Sequence, residues 1–420
     1  MRLLVKKAVS AALVVGMTVG LAGCGSGTPT SGEAASTEAA ATENSASGEF
    51  DENSKDTQKK VKQIESLIDK YFYFEQDSEK REESYYDGIM AGLDDPYSVY
   101  YTPEEYERLM EDDGGEYVGI GATVSKDVDK GTVYVVKPLR GSPAEAAGLT
   151  TGDVFIQIDD IEVTSDMELD EVVNYIRGKE GTTAHLKMYR EGEPDFLEID
   201  INRQKIQNIT VDYEMLDNKI GYISVDQFIE NTPEQFKEGM DYVVSQGAEG
   251  IVIDMRNNPG GLLTAVNEMT DYIIADDAQA PGASKPGIQL ETKDKDGKVI
   301  ESYTCSDGHS IDIPMVVLVN GNSASAAEIF TGDMKDYGIA TIIGTTTYGK
   351  GIVQSVIPLS DGSAIKITIA KYFTPSGNDI HKLGIEPDIE IDVSDEQKRM
   401  ANIPHDEDPQ LKKALEVLTK

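Results

Sequence analysis

The stretch Val319-Asn320-Gly321-Asn322-Ser323-Ala324-Ser325-Ala326-Ala327-Glu328-Ile329-Phe330 decides how the chain folds around its chemistry. The apolar run Pro314-Met315-Val316-Val317-Leu318-Val319 enters it and reads as a buried strand. Small and polar residues then turn the corner, and a helix is predicted to start near Ser325. A serine at such a place sits over unpaired backbone N–H groups and the positive end of the helix dipole. The position suits a nucleophile, whose own amide can stabilise the oxyanion formed by attack. Serine is also a common helix N-cap, so position alone does not decide between the two roles.

Working outward, residues 205–400 alternate between strands and helices in the manner of an α/β unit. Lys219-Ile220-Gly221-Tyr222-Ile223-Ser224-Val225 and the continuous apolar run Gly250-Ile251-Val252-Ile253-Asp254-Met255 read as strands. Between them, Thr232-Pro233-Glu234 opens a helix predicted to run to about Ser245. Further strands are expected at 341–343, 352–356 and 364–369.

Asp336 lies 11 residues after Ser325, Lys350 stands 25 residues after it in Tyr348-Gly349-Lys350-Gly351, and Gln354 follows four positions later. This set resembles the catalytic core of the C-terminal processing, or tail-specific, proteases. The resemblance implies a crotonase/ClpP-like α/β core with Ser325 as nucleophile, Lys350 as general base and Gln354 positioning the lysine. Asp336 matches an aspartate on the helix after the nucleophile and is expected to be structural or supportive. Asp254-Met255-Arg256-Asn257-Asn258-Pro259-Gly260-Gly261 matches the same family, and its adjacent glycines make Gly260 or Gly261 the expected second oxyanion donor beside Ser325. Tyr372-Phe373-Thr374-Pro375-Ser376-Gly377 and Gly384-Ile385-Glu386-Pro387-Asp388 match its C-terminal signature. Ala327 departs from the pattern, where a further serine is frequent; no chemistry is assigned to that position.

A Ser–Lys pair is physically coherent. Free lysine, with a pKa of about 10.4, is protonated and useless as a base at neutral pH. Desolvation disfavours the ammonium and lowers that value, and Lys350 lies between two glycines and beside apolar strand residues. Gln354 offers a neutral carbonyl that orients an amine without restabilising its charged form. No histidine is required, and the four present, His185, His309, His381 and His405, are scattered outside any ligand pair or Ser–His–Asp context. His381 is read as surface or structural.

Residues 113–192 change character. The glycine-punctuated strand Tyr117-Val118-Gly119-Ile120-Gly121-Ala122-Thr123-Val124 precedes Gly141-Ser142-Pro143-Ala144-Glu145-Ala146-Ala147-Gly148-Leu149 and Gly152-Asp153. The run resembles a PDZ domain. The resemblance implies capture of a peptide strand at a sheet edge, with its terminal carboxylate held by backbone amides of Gly119-Ile120-Gly121. Read as residues alone, those glycines are equally a bulge or a turn.

The amino-terminal end carries a basic n-region (Arg2, Lys6, Lys7) and an apolar stretch Ala8–Leu21 too short and broken to span a membrane. Leu21-Ala22-Gly23-Cys24 resembles a bacterial lipobox, which implies a signal peptide over 1–23, lipidation at Cys24 and an extracytoplasmic, membrane-anchored protein. An ordinary secretory signal is the competing reading. Residues 24–56, rich in Ser, Thr, Gly, Ala and Glu, are expected to form a disordered tether. Residues 57–112 are expected to be helical, from the spacing of Val61, Ile64, Leu67, Ile68 and Tyr71 and the helix start Thr102-Pro103-Glu104-Glu105. Residues 401–420 are expected to be a polar linker and a short helix.

The formal net charge of −38 argues against nucleic acid as a partner. With Cys24 lipidated, Cys305 is the one remaining thiol, read as structural, so no intramolecular disulfide is expected. No metal site and no cofactor are expected. The whole reads as a multidomain α+β protein, with a PDZ domain, a protease core at 193–400 and a helical amino-terminal element. It is expected to cleave near the free C-termini of exported or envelope proteins. A catalytically silent scaffold or receptor, and a crotonase-like acyl-CoA enzyme, are the competing classes; the complete Ser325, Lys350 and Gln354 set argues against the first, the lipobox and PDZ module against the second. Whether the helical ends form a homodimer stays open.

Overall fold

The computed structural model describes residues 51–127, 130–139, 141–400 and 403–419. The expected signal peptide and Cys24 lie outside these residues. The chain divides into two compact units, Met1–Ile89 and Met90–Lys420.

In the first unit, helix Lys55–Tyr71 is capped by Ser54, whose hydroxyl accepts from the Thr57 amide (3.2 Å). The expected three-to-four spacing is there, but the helix buries no residue, and Val61, Ile64, Leu67 and Tyr71 stay exposed. A second helix, Ser78–Ala91, crosses the boundary between the units.

In the second unit, Thr102 and Glu105 close a reciprocal capping box (3.2 and 3.1 Å) that starts helix Pro103–Asp113. A PDZ-like sheet follows, with the order Ala122–Asp127, Thr132–Pro138, Val154–Ile158, Thr183–Tyr189, Leu197–Asn202. Its core gathers Val133, Val135, Phe155, Ile158, Leu186 and Met188 under helix Leu169–Ile176, which contributes Val172 and Ile176. The boundary expected at residue 192 falls inside this sheet, because Leu197–Asn202 pairs antiparallel with Thr183–Tyr189 and buries Ile201 in the same core. The strand expected at 117–124 is interrupted: Glu116–Gly119 pairs with Gln204–Gln207, whereas Ala122–Asp127 pairs with Thr132–Pro138. Gly121, at φ +75°, makes the break.

The remaining chain builds a six-stranded sheet ordered Val211–Leu216, Ile220–Val225, Gly250–Asp254, Met315–Val319, Ala340–Gly344, Ile389–Glu390. The first pair is antiparallel and the rest are parallel. Gly250–Asp254 and Met315–Val319 are buried along their whole length, as expected for strands covered on both faces. Alternate side chains sort to the two faces. Ile251, Ile253, Val317 and Val319 pack with Phe236, Val266 and Phe330 from helices Thr232–Ser245, Leu263–Asp271 and Ala326–Asp336. Val252, Val316 and Leu318 pack with Leu411 and Ala414 of helix Pro409–Leu418. The carboxyl-terminal helix is therefore part of the core, not an appendage beyond residue 400. A second sheet places Ala364–Phe373 at its centre, flanked by Val99–Tyr101, Ile288–Lys293 and Ile352–Pro358. Among the described residues no helix is long and apolar enough to cross a membrane.

Candidate active site

Parallel strands send their carboxyl ends to one edge of a sheet, where ligand-handling loops collect. Here that edge brings together the loop after Asp254, the turn after Val319 and the loop after Gly344. The first two are zipped side by side. Asn257 N donates to Asn320 Oδ1 (3.0 Å), Asn320 Nδ2 donates to Asn257 Oδ1 (2.9 Å), and Ser323 Oγ donates to Met255 O (2.8 Å). Buried Asn258 accepts from Ala324 N at its backbone carbonyl (2.9 Å) and donates from Nδ2 to Val225 O (2.8 Å).

Ser325 immediately precedes helix Ala326–Asp336 and holds φ 54°, ψ −117°, a region that side-chain-bearing residues rarely occupy. Such a conformation costs on the order of 1–3 kcal/mol and persists only where its surroundings over-determine it. Two neighbours do so. A Cβ on Gly260 would stand 2.7 Å from Ser325 Cβ and 2.7 Å from Ala324 O, so only glycine lets the two loops approach. The other neighbour is Glu328.

Glu328 was not among the expected site residues, yet it joins the pieces. Its side chain is fully buried. Oε2 accepts from the amides of Ser325 (2.9 Å) and Lys350 (2.8 Å); Oε1 accepts from Gly349 N (2.7 Å) and Thr347 Oγ1 (2.6 Å). Four donors on one carboxylate offset the cost of burying it. The Tyr372 hydroxyl reinforces the junction from the other side, 2.8 Å from Lys350 O and 3.2 Å from Ser325 O. The sequence signal for Glu328 was the Ser-x-x-Glu spacing of a capping box.

The same contacts narrow the expected oxyanion donors to one. The Ser325 amide is occupied by Glu328, and the Gly260 amide donates to Asn258 Oδ1 (2.8 Å). Gly261 is exposed, at φ +146°, and its amide donates to no acceptor among the described residues. Its Cβ would collide with Phe228 O at 1.9 Å, so this position too is closed to side chains.

Lys350 is half-buried. Burial, then the nearby Lys366 ammonium, hold its pKa below the ordinary lysine value, with Asp95 and Glu328 pulling the other way. Its Nζ lies 4.7 Å from the centroid of the Tyr97 ring, and among the described residues no hydrogen bond joins it to Ser325 Oγ. Gln354 Nε2 donates to Thr368 Oγ1 (3.3 Å) instead of meeting the lysine. Asp336 ends its helix and accepts from Ser376 N (2.8 Å); 11 residues at about 1.5 Å rise put it roughly 16 Å from Ser325, outside the site. His381 packs its backbone against Gly351, where an added Cβ would meet His381 N at 2.7 Å; its Nδ1 is buried without a partner among the described residues.

Behind the loop after Asp254, Arg256 donates to Asp254 Oδ1 from Nε (2.9 Å), pairs with Asp408 Oδ2 (2.7 Å) and donates to Gln410 Oε1 (2.8 Å). This ties the carboxyl-terminal helix to the segment that carries Gly260 and Gly261.

Elsewhere in the second unit, Gly119, Ile120 and Gly121 line a cleft of about 710 Å³ with Val124, Leu139 and Ile176. The amides of Ile120 and Gly121 donate to no acceptor among the described residues. A Cβ on Gly121 would stand 2.5 Å from Ser142 Cβ. Cys305 is buried, and burial pushes its thiol well up. Asp271, Asp276 and Asp307 bring carboxylate oxygens within 4.8 Å of one another on the surface, where they accept from the amides of Ser306, Gly308 and His309.

Residues 219–391 match the model of peptidase family S41, residues 117–201 a PDZ domain, and residues 17–105 the amino-terminal domain of the activating protease CtpB. A CtpA-like serine protease of Staphylococcus haemolyticus is 37% identical over 356 residues, covering 84% of this chain and 69% of the relative. The chain belongs to the CtpA-like serine proteases of peptidase family S41. Another CtpA-like relative, from Staphylococcus aureus, is 37% identical over 334 residues, 80% of this chain; the chain spans 64% of that relative's length. A solved structure described as an S41 protease from Bacteroides fragilis shares the fold, with a TM-score of 0.53 at 17% identity over 85% of this chain and 97% of that one. The CtpA-like assignment agrees with a PDZ module fused to an α/β core.

Proposed function

We propose that this CtpA-like chain is a serine endopeptidase that cleaves near the C-termini of exported proteins, with Ser325 as nucleophile and Lys350 as general base. The observation that carries the reading is the Glu328 carboxylate, which accepts from the amides of both Ser325 and Lys350 and so fixes the two segments side by side. In the reaction, Ser325 Oγ attacks the scissile carbonyl carbon as its proton passes to the neutral Lys350 amine. The tetrahedral oxyanion takes the Gly261 amide as donor. The protonated lysine then returns its proton to the leaving amine, and water repeats the sequence on the acyl-enzyme. The lysine stem has four rotatable bonds, enough for Nζ to leave Tyr97 for Ser325, with Gln354 orienting it there. Gly119, Ile120 and Gly121 capture the substrate's terminal carboxylate, and lipid on Cys24 tethers the enzyme outside the cytoplasm.

The test is cleavage of an unfolded reporter chain with an apolar C-terminal tail. Wild type is expected to cut it, and Ser325→Ala and Lys350→Ala are expected to leave it intact. Cleavage surviving in either variant contradicts the assignment, and binding without cleavage by wild type favours a silent receptor. Partition of the mature protein into detergent, lost in Cys24→Ala, tests the anchor.

A further inference from the structure

Lys350 is held by a segment that the catalytic assignment does not use. The turn Asp94-Asp95-Pro96-Tyr97-Ser98 lies some 250 positions earlier in the chain, within the second unit. Asp95 organises it: Oδ1 accepts from Tyr97 N (3.1 Å), Oδ2 accepts from Ser98 Oγ (2.6 Å), and the Asp95 carbonyl accepts from Ser98 N (3.2 Å). The turn is sewn to the central strand of the second sheet. Thr368 N donates to Ser98 Oγ (3.1 Å), Thr368 Oγ1 donates to Asp95 Oδ2 (2.6 Å), and Val99–Tyr101 pairs with Ala364–Lys366.

Three contacts then run from this turn to the lysine's surroundings. The Tyr97 ring faces Lys350 Nζ at 4.7 Å, and the Tyr97 hydroxyl donates to Tyr348 Oη (3.2 Å), two residues before the lysine. Gln354 reaches the turn through Thr368, the residue that also binds Asp95. The assigned base and the residue expected to orient it are thus both engaged by one turn, while Ser325 Oγ has neither.

We propose that Asp95 and Tyr97 are positioning residues that form a resting seat for the Lys350 ammonium, holding it and Gln354 away from Ser325 until substrate draws the amine across. This rests on Lys350 being the base. The seat is selective for the charged amine. A ring face attracts a cation through its quadrupole and gains little from a neutral amine; a carboxylate acts in the same sense. The charged and aromatic groups acting on Lys350 are Asp95 and Tyr97 from the turn, Glu328 from the helix and Lys366 from the sheet, with Tyr348 of its own loop bonded to the Tyr97 hydroxyl. Burial and Lys366 oppose the charge; the seat partly cancels them. The Tyr97 phenol, pushed up to about 12 by burial and Tyr348, stays neutral throughout the working range.

The experiment is the pH dependence of kcat/KM for reporter cleavage by the full chain, measured at limiting substrate, where the acid limb reports the free enzyme with its lysine seated. Tyr97→Leu removes the ring face, so the acid limb is expected to move to lower pH by about half a unit to one unit, with a roughly three- to tenfold rise in rate on that limb. Asp95→Asn, of nearly the same shape, is expected to move it in the same direction, and Tyr97→Phe to return it toward the wild-type position. A merely structural role would lower rates without moving the limb. An unmoved limb in folded Tyr97→Leu and Asp95→Asn, or a shift to higher pH, overturns the seat. Undiminished cleavage by Lys350→Ala would overturn the base assignment instead, so the two failures are distinguishable.

Discussion

Glu328→Gln is the substitution that tests the architecture of the site most sharply, because it keeps shape and removes only charge and one acceptor. The wild-type carboxylate accepts four hydrogen bonds, three from backbone amides. A glutamine has one acceptor oxygen. Turned toward Ser325 and Lys350, it presents its NH₂ group to the Gly349 amide and Thr347 Oγ1. The hydroxyl can rotate to accept; the amide cannot. One buried donor left unpaired costs about 1–3 kcal/mol, and three bonds reduced from charge-assisted to neutral lose about 1 kcal/mol each, for a total of roughly 4–6 kcal/mol. That loss is comparable to the lower end of a typical domain stability of about 5–15 kcal/mol. Amide hydrogen exchange reads this locally: Ser325, Gly349 and Lys350 are expected to lose protection, with cleavage falling at least a hundredfold. Wild-type protection at those three amides, together with wild-type cleavage, would refute the claim that Glu328 joins the two loops.

Other outcomes follow from the same contacts. Lys366→Met removes the like charge that helps depress Lys350; the lysine pKa rises, less of it is neutral at a given pH, and the acid limb of the pH–rate profile is expected to move to higher pH. Gly121→Ala forces a Cβ to 2.5 Å from Ser142 at φ +75°, at a strain of about 1–3 kcal/mol. It is expected to weaken binding of a labelled free-carboxylate peptide in fluorescence anisotropy, and unchanged affinity would remove the carboxylate role from that loop. Arg256→Ala leaves Asp254 and Asp408 buried without their shared cation. A loss of about 3–5 kcal/mol in urea unfolding is expected.

What was legible in the sequence is what short-range physics controls. The buried strands 250–254 and 315–319 announce themselves as continuous apolar runs, and the helix at Pro103 by its cap and proline. The strand–turn–helix around Ser325 follows from the same local pattern. The rest depends on distant pairing. Nothing near Tyr97 says that its ring will meet Lys350, and nothing near Asp408 says that it will neutralise Arg256. Two of the three expected oxyanion amides are engaged for a related reason: residue type shows that an amide exists, but not that Glu328 and Asn258 will occupy those of Ser325 and Gly260, which leaves Gly261. Glu328 itself reads as an ordinary capping residue until Gly349 and Lys350 are folded onto it.

Trapping of the covalent intermediate tests the central claim most directly. Acid-quenched wild type mixed with the reporter and examined by intact-mass and peptide-mapping spectrometry should carry an acyl group on Ser325, and Lys350→Ala should carry none. An adduct on another residue, or equal acylation of Ser325 without the lysine, would contradict the Ser325–Lys350 assignment.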